Sequence, residues 1–139
     1  KKLKVRNPNH IRPWQHVLDP LIGYLILAKK QYVSKINNNH EFAWNFGPMK
    51  ENFKKVSEVV RNIQKFENFE YSFDKKKKFH ETHTLKLDST KAKIKLNWTC
   101  KWNLSTALER TVEWNRSVKK NFSPKDKCVQ QFLMYINNK

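Results

Sequence analysis

Apolar and polar positions follow two periods along the 139-residue chain. Leu3 to Val5 reads as a short strand, and Ile11 to Leu18 as an extended run. Pro13 has no N–H to give a ladder, so that run is expected to be an edge strand or irregular. From Pro20 to about Val33, Leu21, Ile22, Leu25, Ile26 and Ala28 leave little polar face, which predicts a helix buried on most sides. Asp19 suits the cap of that helix and Pro20 its first position. Asn37 to Asn39 is a loop, and Phe42 to Phe46 a short strand, apolar on both faces, that Gly47-Pro48 stops. Lys54 to about Phe66 is the clearest amphipathic helix, with Val56, Val59, Val60, Ile63 and Phe66 on one stripe. Phe69 to Phe73 alternates as a half-buried strand, Lys75 to Lys78 is a solvated loop, and Thr84 to Leu87 is another short strand. Asp88 or Ser89 caps a short helix that carries Ala92 and ends near Trp98. Asn103 caps a longer one with Leu104, Ala107, Leu108, Thr111, Val112 and Val118 on one face. Ser123-Pro124 starts the last helix, whose apolar side is Cys128, Val129, Phe132, Leu133 and Ile136. Short apolar strands between helices suggest parallel-sheet pieces and an α/β class.

Composition changes this picture in one respect. The formal net charge is +17 and the pI about 10.0, values that normally prompt a nucleic-acid reading. However, the only arginines are Arg6, Arg12, Arg61, Arg110 and Arg116; lysine and asparagine are abundant and glycine is scarce. That bias is what a strongly AT-rich genome produces, and it explains the charge without a nucleic-acid partner. A basic nucleic-acid-binding module therefore stands as an alternative, motivated by the lysine run and the aromatics. Cys100 and Cys128 fit no close-spaced metal pattern, and free thiols suit a reducing cytoplasm. The longest apolar run, Leu21 to Ala28, is too short to span a bilayer.

The densest chemistry lies in Arg6–Leu21, where a proline turn, an edge strand and a helix start gather two arginines, two histidines and Trp14. Arg12 is the principal candidate. Its planar guanidinium matches phosphate oxygens and does not lose its charge; the plainer alternative is a tie from the strand to a neighbouring loop. His80, Glu81 and His83 form a second cluster, to which Lys78 adds charge. On a strand Glu81 and His83 would share a face with His80 opposite, too few ligands for a metal. His16 is read as structural. Trp14, Trp44, Trp98, Trp102 and Trp114 are read as core rather than as base-stacking groups. Tyr71–Lys75 and Tyr135–Lys139 have the Tyr-x-x-x-Lys spacing of a dehydrogenase pair, read as coincidence in a lysine-rich chain.

Five separated stretches, in order, resemble the CDP-glucose 4,6-dehydratases, a family of extended short-chain dehydrogenases/reductases. They are Arg6–Leu21, Ala43–Pro48, His80–Asp88, Lys91-Ala92 with Leu96–Trp98, and Trp102–Glu109 through Trp114. The resemblance implies that residues 1–139 are the C-terminal nucleotide-sugar-binding region, including the last pieces of a Rossmann sheet at about 16–47. It implies a part in an NAD-dependent lyase that converts CDP-glucose to CDP-4-keto-6-deoxyglucose, a precursor of deoxyhexoses in surface polysaccharides. Arg12, Lys78, His80 and Glu81 are then the substrate-binding residues, and no catalytic, cofactor or metal residue is expected here. With only Gly23 and Gly47, the chain lacks the Gly-rich dinucleotide loop. NAD and the catalytic Tyr-Lys pair are therefore assigned to a missing Rossmann half, and the lone chain is expected to be inactive and poorly folded. The intact enzyme is expected to be a cytoplasmic homodimer with no membrane and no specific nucleic-acid partner. A related sugar-nucleotide dehydratase or epimerase is the nearer alternative.

Overall fold

The chain begins with β1 (Leu3–Val5), turns at Asn7, and continues as β2 (Ile11–Pro13) into α1 (Leu18–Ser34). A 3-10 turn at Lys50–Asn52 leads into β3 (Phe53–Lys55) and α2 (Val56–Gln64). β4 (Tyr71–Phe73), α3 (Thr90–Leu96), α4 (Leu104–Lys119) and α5 (Pro124–Asn137) follow. These elements come from a computed structural model that describes residues 2–34, 43–74 and 82–137. Among the described residues the fold is a mixed α/β domain with five helices and short strands.

The helix boundaries follow local chemistry. Asn103 Oδ1 accepts from the Thr106 amide at 2.9 Å and starts α4 as expected. Asp88 Oδ1 accepts from the Thr90 amide at 2.8 Å at the head of α3, and Pro124 opens α5. Asn97 ends α3 in the left-handed region at φ 52°, and Asn121 follows α4 at φ 64°. Asparagine here takes the stop position that glycine usually fills.

The named strands form two separate two-stranded sheets, not one parallel sheet. β1 and β4 pair in parallel, whereas β2 and β3 pair antiparallel. Thr84 makes only an isolated parallel bridge to Ile11, so the Thr84–Leu87 strand is reduced to one contact. No strand forms at 43–46; 43–49 is irregular, and Phe42 lies outside the described residues. Side chains occupy carbonyls that a ladder would need: Gln15 Nε2 donates to Phe46 O at 2.8 Å and Lys91 Nζ to Ala43 O at 3.0 Å. Among the described residues, 16–47 holds α1 and this irregular segment.

Phe46, Ala92, Leu96, Trp98 and Cys100 form one cluster of the core, with Ile26 and Leu27 of α1 against them. Gly23 lets α1 approach closely: a Cβ there would lie 2.3 Å from the Phe46 ring. α4 packs on both α2 and α5. Two helix faces depart from expectation. α1 buries one side and leaves Leu21, Tyr24, Leu25, Tyr32 and Val33 exposed. α5 buries Gln131 and Tyr135 and turns Val129, Phe132, Leu133 and Ile136 outward. The two inward residues make hydrogen bonds that an aliphatic face cannot make, to Arg110 O and to Asp19.

Candidate functional site

Because β2 is extended, His10, Arg12 and Trp14 fall on one side of it. Antiparallel pairing sets Lys54 of β3 opposite Arg12, on the same face. On the other edge the Ile11 amide donates to His83 O at 2.9 Å, and the Leu85 amide donates to Ile11 O at 3.2 Å. That bridge places the His83 ring 5.2 Å from the His10 ring. A guanidinium, two imidazoles and a lysine thus share one small sheet surface, built from three stretches of chain.

Arg12 is committed to specific partners. Nη1 donates to the main-chain oxygens of Ile11 at 2.9 Å, Thr82 at 3.0 Å and His83 at 3.4 Å. Nη2 lies 3.1 Å from His10 Nδ1. A guanidinium only donates, so His10 Nδ1 is the acceptor in this contact. Arg12 therefore ties β2 to residues 82–83, the plainer of its two expected roles. Lys78, His80 and Glu81 lie outside the described residues. The structure does bring Thr82, next after Glu81 in sequence, onto the guanidinium.

The most deeply set polar group is one that the sequence reading treats as a cap. Asp19 is 0% exposed. Its Oδ1 accepts from the Lys101 amide at 2.9 Å and from the Tyr135 hydroxyl at 2.5 Å, and its carbonyl accepts from Trp98 Nε1 at 3.0 Å. It fastens α1 to the 98–101 segment and to α5. Burial, and then the Asp19 carboxylate, push the Cys100 thiol up to about 12. The same causes raise the Tyr135 phenol well above its ordinary value. Burial holds the His16 imidazole below the usual histidine range, against the opposing pull of the Asp19 charge. No local signal marks this node, since its partners lie 82 and 116 residues away.

Both tyrosines with dehydrogenase-like spacing are structural. Tyr71 sits between the rings of Phe69 and Phe73, at 6.1 and 5.2 Å. Tyr135 is buried on Asp19; Lys75 and Lys139 lie outside the described residues. Trp98 and Trp102 are core, as expected, and Trp14 Nε1 donates to Lys54 O at 3.0 Å.

Five helices and short strands around such a site are consistent with the C-terminal part of an extended short-chain dehydrogenase/reductase. No family model matches the chain. Over 115 residues it is 38% identical to the CDP-glucose 4,6-dehydratase of Salmonella typhimurium. The match covers 81% of this chain and 32% of the relative, in the relative's C-terminal region. The resemblance drawn from the five stretches is thereby borne out, and the chain spans about a third of the length of the curated relative it matches.

Proposed function

We propose that this chain is the C-terminal, nucleotide-sugar-binding part of a CDP-glucose 4,6-dehydratase, acting on CDP-glucose to give CDP-4-keto-6-deoxyglucose. The observation that carries this reading is the 38% identity to a protein of that name along most of the chain. NAD would accept and return a hydride in that reaction. The residues here do not fit it, since Gly23 and Gly47 are the only glycines and make no dinucleotide loop. NAD would be held by the Rossmann half, with which this chain would form a cytoplasmic homodimeric enzyme; alone it would be inactive.

Within this reading the Arg12 face meets the diphosphate. Arg12, Lys54, His10 and His83 offer charge and N–H donors on one surface, which suits phosphate oxygens. Lys78, His80 and Glu81, just before the Thr82 that Arg12 holds, would add contacts to the sugar and diphosphate.

The test is to co-express this chain with the N-terminal region of the Salmonella relative and measure CDP-glucose binding and 4-keto product. Arg12→Ala should weaken binding by about 1.5–3 kcal/mol, the value of a charge-assisted hydrogen bond. Circular dichroism would check that the variant keeps its fold, because Arg12 also ties residues 82–83. An unchanged Kd with the fold intact would remove Arg12 from the site. Absence of any CDP-glucose binding by a folded pair would overturn the reading.

A further inference from the structure

The turn that leads into β2 presents His10 from a held backbone. The His10 amide donates to Asn7 O at 3.0 Å, and the Val56 amide at the head of α2 donates to His10 O at 3.0 Å. Asn7 takes the left-handed region at φ 47°, a conformation asparagine tolerates better than most residues. Both main-chain polar groups of His10 are therefore bonded. Its ring is braced as well: the His83 ring lies against it, with centroids 5.2 Å apart and planes tilted by 54°.

Arg12 meets this ring at one nitrogen and the main chain at another. The oxygens of Ile11, Thr82 and His83 all lie on Nη1. That nitrogen has two hydrogens for three acceptors, so these bonds are shared and anchor one corner of the group more than they set its plane. His10 Nδ1 adds a contact at Nη2, 3.1 Å away. Two nitrogens held in two directions fix the plane, and bidentate recognition of phosphate oxygens depends on that plane. These four acceptors are uncharged, so none of them cancels the positive charge that a phosphate would meet. A side chain ordered in advance also loses less freedom when the ligand arrives.

We infer that His10 is a positioning residue for diphosphate binding: its ring, braced by His83, accepts from Arg12 and sets the plane in which the guanidinium meets phosphate oxygens. This rests on the functional reading above and gives the Arg12 face its orienting group. The role is that of an acceptor at Nδ1, not of the ring's bulk. Asparagine carries its amide oxygen the same number of bonds from Cβ as Nδ1. Glutamine carries its amide oxygen one bond further out, where Nε2 lies. Acceptor position therefore separates two substitutions of the same chemical type.

The experiment measures the Kd for CDP by isothermal titration calorimetry, on the chain co-expressed with the N-terminal region of the Salmonella relative. His10→Leu and His10→Gln should each weaken CDP about tenfold, near the lower end for a hydrogen bond to a charged group. His10→Asn should restore most of the affinity. In an Arg12→Ala background His10→Leu should cost nothing more, because its effect passes through the guanidinium. Circular dichroism and thermal melts check that each variant keeps its fold. Equal losses in the Leu, Gln and Asn variants would overturn the inference, as would a further loss in the Arg12→Ala background. CDP binding that depends on Arg12 but ignores every His10 substitution would also overturn it, while leaving the functional reading intact. A folded wild-type pair that does not bind CDP would overturn both.

Discussion

A carboxylate with no contact to water has to be held by donors, and Asp19 is held by the Tyr135 hydroxyl and the Lys101 amide. Tyr135→Phe removes a hydrogen bond to a charged group and should cost about 1.5–3 kcal/mol in urea denaturation. The same node sets an alkaline limit. Tyr135 and Cys100 both have raised values in the fold, Cys100 reaching about 12 from 9.0. The unfolded chain therefore gives up these protons first. Stability is fully present below the unfolded values and is lost as pH rises through about 9 to 12. A melting temperature that declines over that window, and declines less in Cys100→Ala, is the expected result; a flat profile would contradict it. At the acid end His16 works the other way. Its depressed value means that stability is present above the ordinary 6.5 and lost as pH falls below it, so His16→Gln should flatten the profile there.

Element by element, the approach of α1 to the 43–49 segment depends on Gly23. Alanine would gain up to about 1 kcal/mol of helix propensity, but its Cβ would meet the Phe46 ring at 2.3 Å. Phe46 is itself buried beside Trp98, with ring centroids 5.1 Å apart, so it has little room to yield. Gly23→Ala should lower stability by about 1–3 kcal/mol, the usual range for overpacking. The double variant Gly23→Ala/Phe46→Leu should cost less than the sum of the two single changes. Additive losses in thermal melts would show that the ring is not the obstacle.

For the whole molecule, the net charge of +17 bears more on behaviour in solution than on function. Any protein this basic attracts polyanions. Filter binding should show weak association with RNA and DNA, indifferent to sequence and falling by about a thousandfold between about 50 and 200 mM salt. Selective or salt-resistant binding would favour the nucleic-acid reading over the dehydratase one. The described residues hold no helix long and apolar enough to cross a membrane.

What the sequence determined by itself was local. Asn103 as a cap, Pro124 at a helix start and the stripe of α2, with Val59 and Val60 buried, all depend on residues within a turn or two of one another. The resemblance to the dehydratases was legible too, because it rests on ordered stretches of residue types rather than on geometry. The tertiary structure decided which way the elements face. α1 and α5 each carry apolar residues on more than one side, so periodicity leaves the buried face open. The choice was made by groups far away in sequence: Phe46 against Gly23, Arg110 O for Gln131, Asp19 for Tyr135. The same holds at the candidate site. Arg12 was visible as a phosphate-matching group, but its bonds to Thr82 and His83 lie 70 and 71 residues away. Only the folded chain brings such donors and acceptors within reach, and a buried polar group goes where its partner is.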